Sequence, residues 1–183
     1  MSKADFDKFI ERQRAQASNS DTLDAAQQIQ EWQDYLDTLY RDVESYMQKY
    51  IKLGSAKIEF RDIELNEEFS GIYVVRQMIL RIGRSNIKFN PIGTMLIGSK
   101  GRVDVQGPRG IVRLGLVDKK VTSARQLIRV TVSSAGEYKA PPHPEREGDI
   151  EWAWKIISPA PDVRFIDLTE DTFFDVILTI ADD

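Results

Sequence analysis

The chain has 183 residues, 42% apolar and 30% charged, with 3 Trp, 8 Phe and 6 Tyr, a composition that buries a core without help from metals or disulfides. It has no Cys, which excludes disulfides, Cys-ligated zinc or iron–sulfur sites and thiol catalysis. Its net charge of −4 is unevenly spread: residues 1–70 carry 15 acids and 9 bases, residues 71–129 carry 12 bases and two acids, and residues 130–183 carry 12 acids and 4 bases. An acidic–basic–acidic chain either neutralises itself on folding or presents surfaces of opposite sign.

The opening Met1-Ser2-Lys3-Ala4-Asp5 runs into charge rather than an apolar segment, unlike a signal peptide. No uncharged apolar run approaches the roughly 20 residues needed to span a bilayer, and a cytoplasmic protein is expected. Phe6, Phe9 and Ile10 have helical spacing and predict a short N-terminal helical extension over residues 1–20. Residues 15–20 are small and polar, like a linker, with Ser20 and Thr22 as candidate caps for the next helix. A single α+β domain is expected from there, over 21–183.

Ala25, Ile29, Trp32, Leu36, Leu39, Val43, Tyr46 and Tyr50 recur at alternating steps of four and three, which predicts a helix from about 21 to 52 with Gly54 as its stop. The repeat matches a coiled-coil seam and so raises a homodimer through the long helix. Tyr35, Tyr40, Met47 and Ile51 widen the stripe, which favours packing on the protein's own sheet.

Beyond Gly54 the period becomes two. Ile58 and Phe60 alternate, then Ile63 and Leu65 continue on the other parity, predicting a bulge at Arg61-Asp62. Ile72, Val74, Met78, Leu80 and Ile82 are expected on one face of a long strand, with Arg76 the exception. Ile87 and Phe89 begin another, which Pro91 confines to an edge or an irregular point. Short apolar runs follow at 94–98, 103–106, 111–117 and 127–133. Gly107-Pro108-Arg109-Gly110 reads as a tight turn with Gly110 in a left-handed bulge, and Ser99-Lys100-Gly101 as a second turn. Residues 133–148 read as a long loop, and 151–157 as a strand with Trp152, Trp154 and Ile156 on one face, ended by Pro159 and Pro161. Thr169 is the expected N-cap of a C-terminal helix, with Glu170 and Asp171 in its first turn, Leu168 stapled to Phe173, and Phe173, Val176, Ile177 and Ile180 buried. The predicted architecture is an antiparallel β-meander of about six or seven strands packed against the long N-terminal helix and the C-terminal helix.

His143, the only histidine, lies in Pro-His-Pro without a nucleophile-elbow sequence. Glu67, Glu68, Glu145, Glu147, Asp149, Glu151, Asp167, Glu170 and Asp171 offer carboxylates but no metal-ligand spacing. Trp152 and Trp154 suit a core better than an interface anchor. If the apolar parity points inward, Arg81, Lys88, Arg102, Arg113 and Arg129 stand outward from their strands as candidate binding residues for phosphates or an acidic protein. Tyr73 is nearly the sole aromatic on that outer parity, which weakens a stacking platform for single strands. The resulting expectation is a non-catalytic protein–protein interaction subunit with no cofactor and no metal. A nucleic-acid-binding protein using the basic face is the alternative, and a carboxylate-based hydrolase the second.

Overall fold

The computed structural model describes residues 3–68, 70–94, 99–123 and 150–182, with side chains from residue 24 onward. Its order is α1 (Lys3–Lys52), β1 (Ala56–Glu67), β2 (Gly71–Ile82), β3 (Ser85–Gly93), β4 (Gly101–Gly107), β5 (Gly110–Asp118), β6 (Trp152–Ile157), β7 (Phe165–Asp167) and α2 (Glu170–Ile180). The seven strands form one antiparallel sheet in sequence order, and both helices pack on one of its faces. The expected α+β meander is therefore the architecture of the described chain. The predicted run at 127–133 and most of that at 94–98 lie outside the described residues, and β7 had no counterpart in the sequence reading.

α1 runs without a break through residues 15–20, so Ser20 and Thr22 lie inside the helix rather than at a cap. From Trp32 to Met47 it buries Trp32, Leu36, Leu39, Tyr40, Val43 and Met47, the broad stripe that suits a globular core. The helix ends as a Schellman motif: Gly54 N–H donates to Ile51 O at 3.0 Å and Ser55 N–H to Tyr50 O at 2.9 Å. This geometry needs a left-handed residue, and Gly54 supplies it at φ +71°. No described helix is long and apolar enough to cross a membrane.

β1 and β2 pair without a register shift from Ala56↔Ile82 to Glu67↔Gly71, so there is no bulge at Arg61-Asp62. The change of parity has another cause. β3 pairs with β2 only over Met78–Phe89 to Ile82–Ser85, and the outer half of the β1–β2 ribbon leaves the sheet beyond that point. Two-stranded ribbons twist more strongly than wide sheets, and here the outer half turns its other face inward. Tyr73 and Val75 join the core there, whereas Ile72 and Val74 are exposed. Met78 and Leu80 are buried on the expected face. The β2 edge that β3 abandons is covered by α1: Gln33 Nε2 donates to Val74 O at 2.9 Å and the Tyr40 hydroxyl to Arg76 O at 2.6 Å. Pro91 sits where β3 has lost β2, beside a register shift at Pro91/Gly93, as its missing N–H requires.

The core lies between this face and the helices, where Phe89, Val103, Val105, Leu114 and Leu116 meet the α1 stripe and Phe173, Val176, Ile177 and Ile180 of α2. Trp154 packs at 5.9 Å from Trp32 and donates Nε1–H to Tyr35 O at 3.0 Å, so it is a core residue. Gly101 is required by closeness: a Cβ there would lie 2.1 Å from the Trp32 ring. α2 begins with Thr169 in a reciprocal capping box with Thr172. At its other end Arg109 N–H donates to Ile180 O at 3.0 Å, and a Cβ on Gly107 would lie 2.3 Å from that oxygen. The Gly-Pro-Arg-Gly hairpin thus helps close the C-terminus of α2. Gly110 pairs with Gly107 and is not among the left-handed glycines, so the expected bulge is absent.

Candidate functional site

The strand registers place Arg81, Lys88, Arg102 and Arg113 on one face, opposite the helices. Lys88 stands between Ile79 and Gln106, Arg81 beside Asn86, Arg113 beside Asp104, and Arg102 beside Gly115. With strands about 4.8 Å apart and about 3.4 Å per residue, the Cα atoms of Lys88 and Arg113 lie roughly 12 Å apart. Arg129 lies outside the described residues. Including Lys57, Arg61 and Lys155, the register gives this parity seven bases, against the four acids Glu59, Glu67, Asp104 and Asp167.

These charges are not equally available. Arg81 pairs with Glu59 at 2.8 Å. Arg102 grips Asp104 through Nε and Nη2, both at 2.7 Å, and these hydrogen bonds hold the guanidinium pKa above its ordinary value against a smaller opposing effect of burial. Lys88 and Arg113 are exposed and make no ion pair among the described residues. Between them runs an amide chain in which Gln77 Nε2 donates to Asn90 Oδ1 at 2.5 Å and Asn90 Nδ2 to Gln106 Oε1 at 3.3 Å. Ile111, directly across from Gln106, and Ile92 are 56% and 43% exposed, so the basic surface also carries apolar ground.

Tyr73 is not available for stacking on this surface. It is buried by the turned ribbon and donates its hydroxyl to Glu67. Burial raises its pKa, and the bond to Glu67 adds to the rise. Glu67 also accepts the Thr94 N–H at 2.6 Å and the Thr94 hydroxyl at 3.1 Å. This acid fastens the tip of the β1–β2 ribbon to the end of β3. Lys155 is a further base that sequence alternation would leave in solvent, yet it is only 2% exposed. Its ammonium donates to Lys119 O at 2.7 Å and Val121 O at 3.0 Å and pairs with Asp167 at 2.9 Å, which occupies all three N–H groups. The loop after β5 makes this cover, and the residues of that loop give no sequence sign of it.

A polar pocket of about 450 Å³ opens between α1 and the start of β4, lined by Gln27, Glu31, Trp32, Tyr35, Thr94 and Lys100 among others. Lys100, expected only as a turn residue, pairs with Glu31 at 3.0 Å and lies 5.3 Å above the Trp152 ring. The Lys100 bond, then that from Gln27, holds the Glu31 carboxyl below its ordinary pKa. The nearby Ser99 hydroxyl donates to backbone oxygens of Gly101 and Leu116, at 2.7 and 3.0 Å, rather than to a base.

The remaining carboxylates named from sequence are dispersed. Glu151 pairs with Lys119 at 2.6 Å, while Glu170 and Asp171 occupy the first turn of α2. His143, Glu145, Glu147 and Asp149 lie outside the described residues. Among the described residues no group of three His, Asp or Glu side chains is placed to hold a metal ion. Comparison with known proteins adds nothing to this geometry: no family model, curated protein or solved structure matches the chain.

Proposed function

We propose that the chain is a non-catalytic cytoplasmic binding protein that docks an acidic segment of another protein on the outer face of its sheet. The observation that carries this reading is the pairing of two uncommitted cations, Lys88 and Arg113, with exposed Ile92 and Ile111 on a face with excess positive charge. Mixed basic and apolar ground suits a peptide in which Glu or Asp alternates with Leu or Ile. Each carboxylate would meet a cation while apolar side chains cover the isoleucines. A phosphate backbone would use the cations equally well, but the buried Tyr73 supplies no stacking surface for bases.

The test uses a fluorescent peptide of alternating Glu and Leu, with an oligo(U) strand and a duplex DNA of mixed sequence in parallel. Binding of the peptide at low salt, weakened by salt and reduced at least roughly tenfold by K88E/R113E, supports the proposal. Because both side chains are exposed, the double variant keeps its fold, as circular dichroism would verify. Tighter, steeply salt-dependent binding of either nucleic acid moves the function to the second reading. No binding of any probe at low salt overturns both.

A further inference from the structure

The sheet ends on β1, and among the described residues no strand pairs with its outer edge. Val74 and Arg76 direct their carbonyls away from β1 and toward α1, so it is the odd residues of β2 that bond to β1. Through the register, the odd residues of β1 bond to β2, and Ile58, Phe60, Asp62 and Glu64 turn their N–H and C=O groups outward. Beside this edge the last turns of α1 and the start of β1 leave a groove of about 660 Å³, lined by Gln48, Ile51, Lys52, Ile58 and Phe60 among others. Ile51 and Phe60 are 37% and 38% exposed there. A long open edge beside an apolar groove is a template for another strand.

We propose that the occupant is a second copy of this chain, whose β1 pairs antiparallel with the first about a two-fold axis through Phe60. An axis perpendicular to the sheet keeps each residue on its own face, so like parities must pair. Charge then narrows the register to an axis at Phe60 or at Ile58. The first is favoured because the Ile58 register would use Lys57, which already pairs with Glu59 of its own copy, whereas the Phe60 register engages Arg61, unpaired among the described residues. With the axis at Phe60, Glu59 of each copy faces Arg61 of the other, and Phe60 meets its twin. Moving the axis to Glu59, Arg61 or Asp62 sets that residue against itself, a like-charge contact at the symmetry centre. At the Phe60 register the Glu59–Arg61 pairs fall at non-hydrogen-bonded positions, where Cα atoms approach to about 4.5 Å and side chains are nearest.

Arg61 is exposed and makes no ion pair among the described residues. Glu59 already accepts Lys57 at 2.9 Å and Arg81 at 2.8 Å, one on each oxygen, and a carboxylate has lone pairs for a further donor. The two α1 helices would lie on the same side of the joined sheet, closing both grooves over Ile51 and Phe60. This contact borders the outer basic face through Glu59 and Arg61 but leaves Lys88 and Arg113 uncovered, and it is separate from a coiled-coil seam on the helix.

Sedimentation equilibrium of the full-length chain over about 1–100 µM tests the proposal together with three variants. The expected result is a reversible dimer, weakened at least roughly tenfold by R61E, which sets Glu against Glu59, and also weakened by E59R. The swap E59R/R61E restores dimerisation, because the two charges exchange places across the axis. Amide exchange supplies a readout independent of the variants: Phe60 and Asp62 N–H groups gain protection with rising concentration. A chain that stays monomeric to the highest concentration overturns the proposal. So does a dimer indifferent to R61E, as one formed through α1 would be, or a swap that fails to restore association in a folded protein.

Discussion

The two halves of β2 are held by different means. Residues 78–82 have a strand on each side and lay Met78 and Leu80 under α1, where apolar packing does the holding. Residues 71–77 keep β1 on one side, and on the other have side chains of α1 in place of a strand: Gln33 and Tyr40 take two carbonyls, and Asp37 pairs with Arg76 at 2.6 Å. One helix thus acts as a lid over the sheet body and as a substitute strand along its split. The difference teaches that a buried face is a property of what lies opposite, and it reverses within one uninterrupted strand when the neighbour changes.

The sheet body should lose most when its packing is cut. Trp32→Ala removes a ring that is 1% exposed and leaves a cavity beside Trp154, with an expected cost of about 3–5 kcal/mol in urea unfolding. Gly101→Ala comes next, at about 1–3 kcal/mol, because its Cβ would lie 2.1 Å from the same ring. In a Trp32→Leu background the Gly101→Ala cost should shrink, since the obstructing ring is gone, and a double-mutant cycle reads the coupling. Purely additive losses would show that the close approach is not what requires glycine at 101.

The outer ribbon should respond more locally. Tyr40→Phe keeps the buried ring but leaves the Arg76 carbonyl without its donor, an expected loss of about 1–2 kcal/mol. Burial already holds the Tyr40 hydroxyl protonated well above the ordinary tyrosine range, so it serves as a donor throughout neutral pH. Hydrogen exchange should speed up across residues 71–77 more than across 78–82. Equal acceleration of both halves would mean that the ribbon does not open separately and would erase the contrast.

Much of the body was legible because local patterns and tertiary partners agree. The α1 stripe, the Gly54 stop, the inward tryptophan Trp154 and the Thr169 cap each satisfy both. The ribbon was misread because alternation tells which residues share a face but not which face finds a cover. Ile72 and Val74 are apolar and yet exposed, while Tyr73 and Val75 take the buried side. The common face of Arg81, Lys88, Arg102 and Arg113 followed from parity, but their pairing did not. Asp104 lies two residues from Arg102 on the same strand face, a signal available beforehand, whereas the Glu59–Arg81 contact depends on the register of the β1–β2 hairpin. Lys155 shows the limit most clearly, since its cover comes from a loop with no periodicity to read.

The smallest expected effect lies at the pocket margin, where Lys100 and Glu31 join α1 to the start of β4. Hydrogen bonding from Lys100 lowers the Glu31 pKa in the folded chain relative to the unfolded one, for which about 4.3 is ordinary. A depressed carboxylate pKa stabilises the fold above the unfolded value, and that contribution fades as pH falls through the folded value. Glu31→Gln keeps size and an acceptor oxygen while deleting the charge, so it isolates this effect. With side chains 27% and 43% exposed, the pair is screened, and the expected loss at neutral pH is only about 0.2–1 kcal/mol. Urea midpoints of wild type and variant should differ at pH 7, converge below about pH 4, and draw together at pH 7 in high salt. A gap that persists at pH 3 would assign Glu31 a packing role in place of a charge role. The margin of α1 would then be held by the same physics as the sheet body, not by the polar contacts seen along the ribbon.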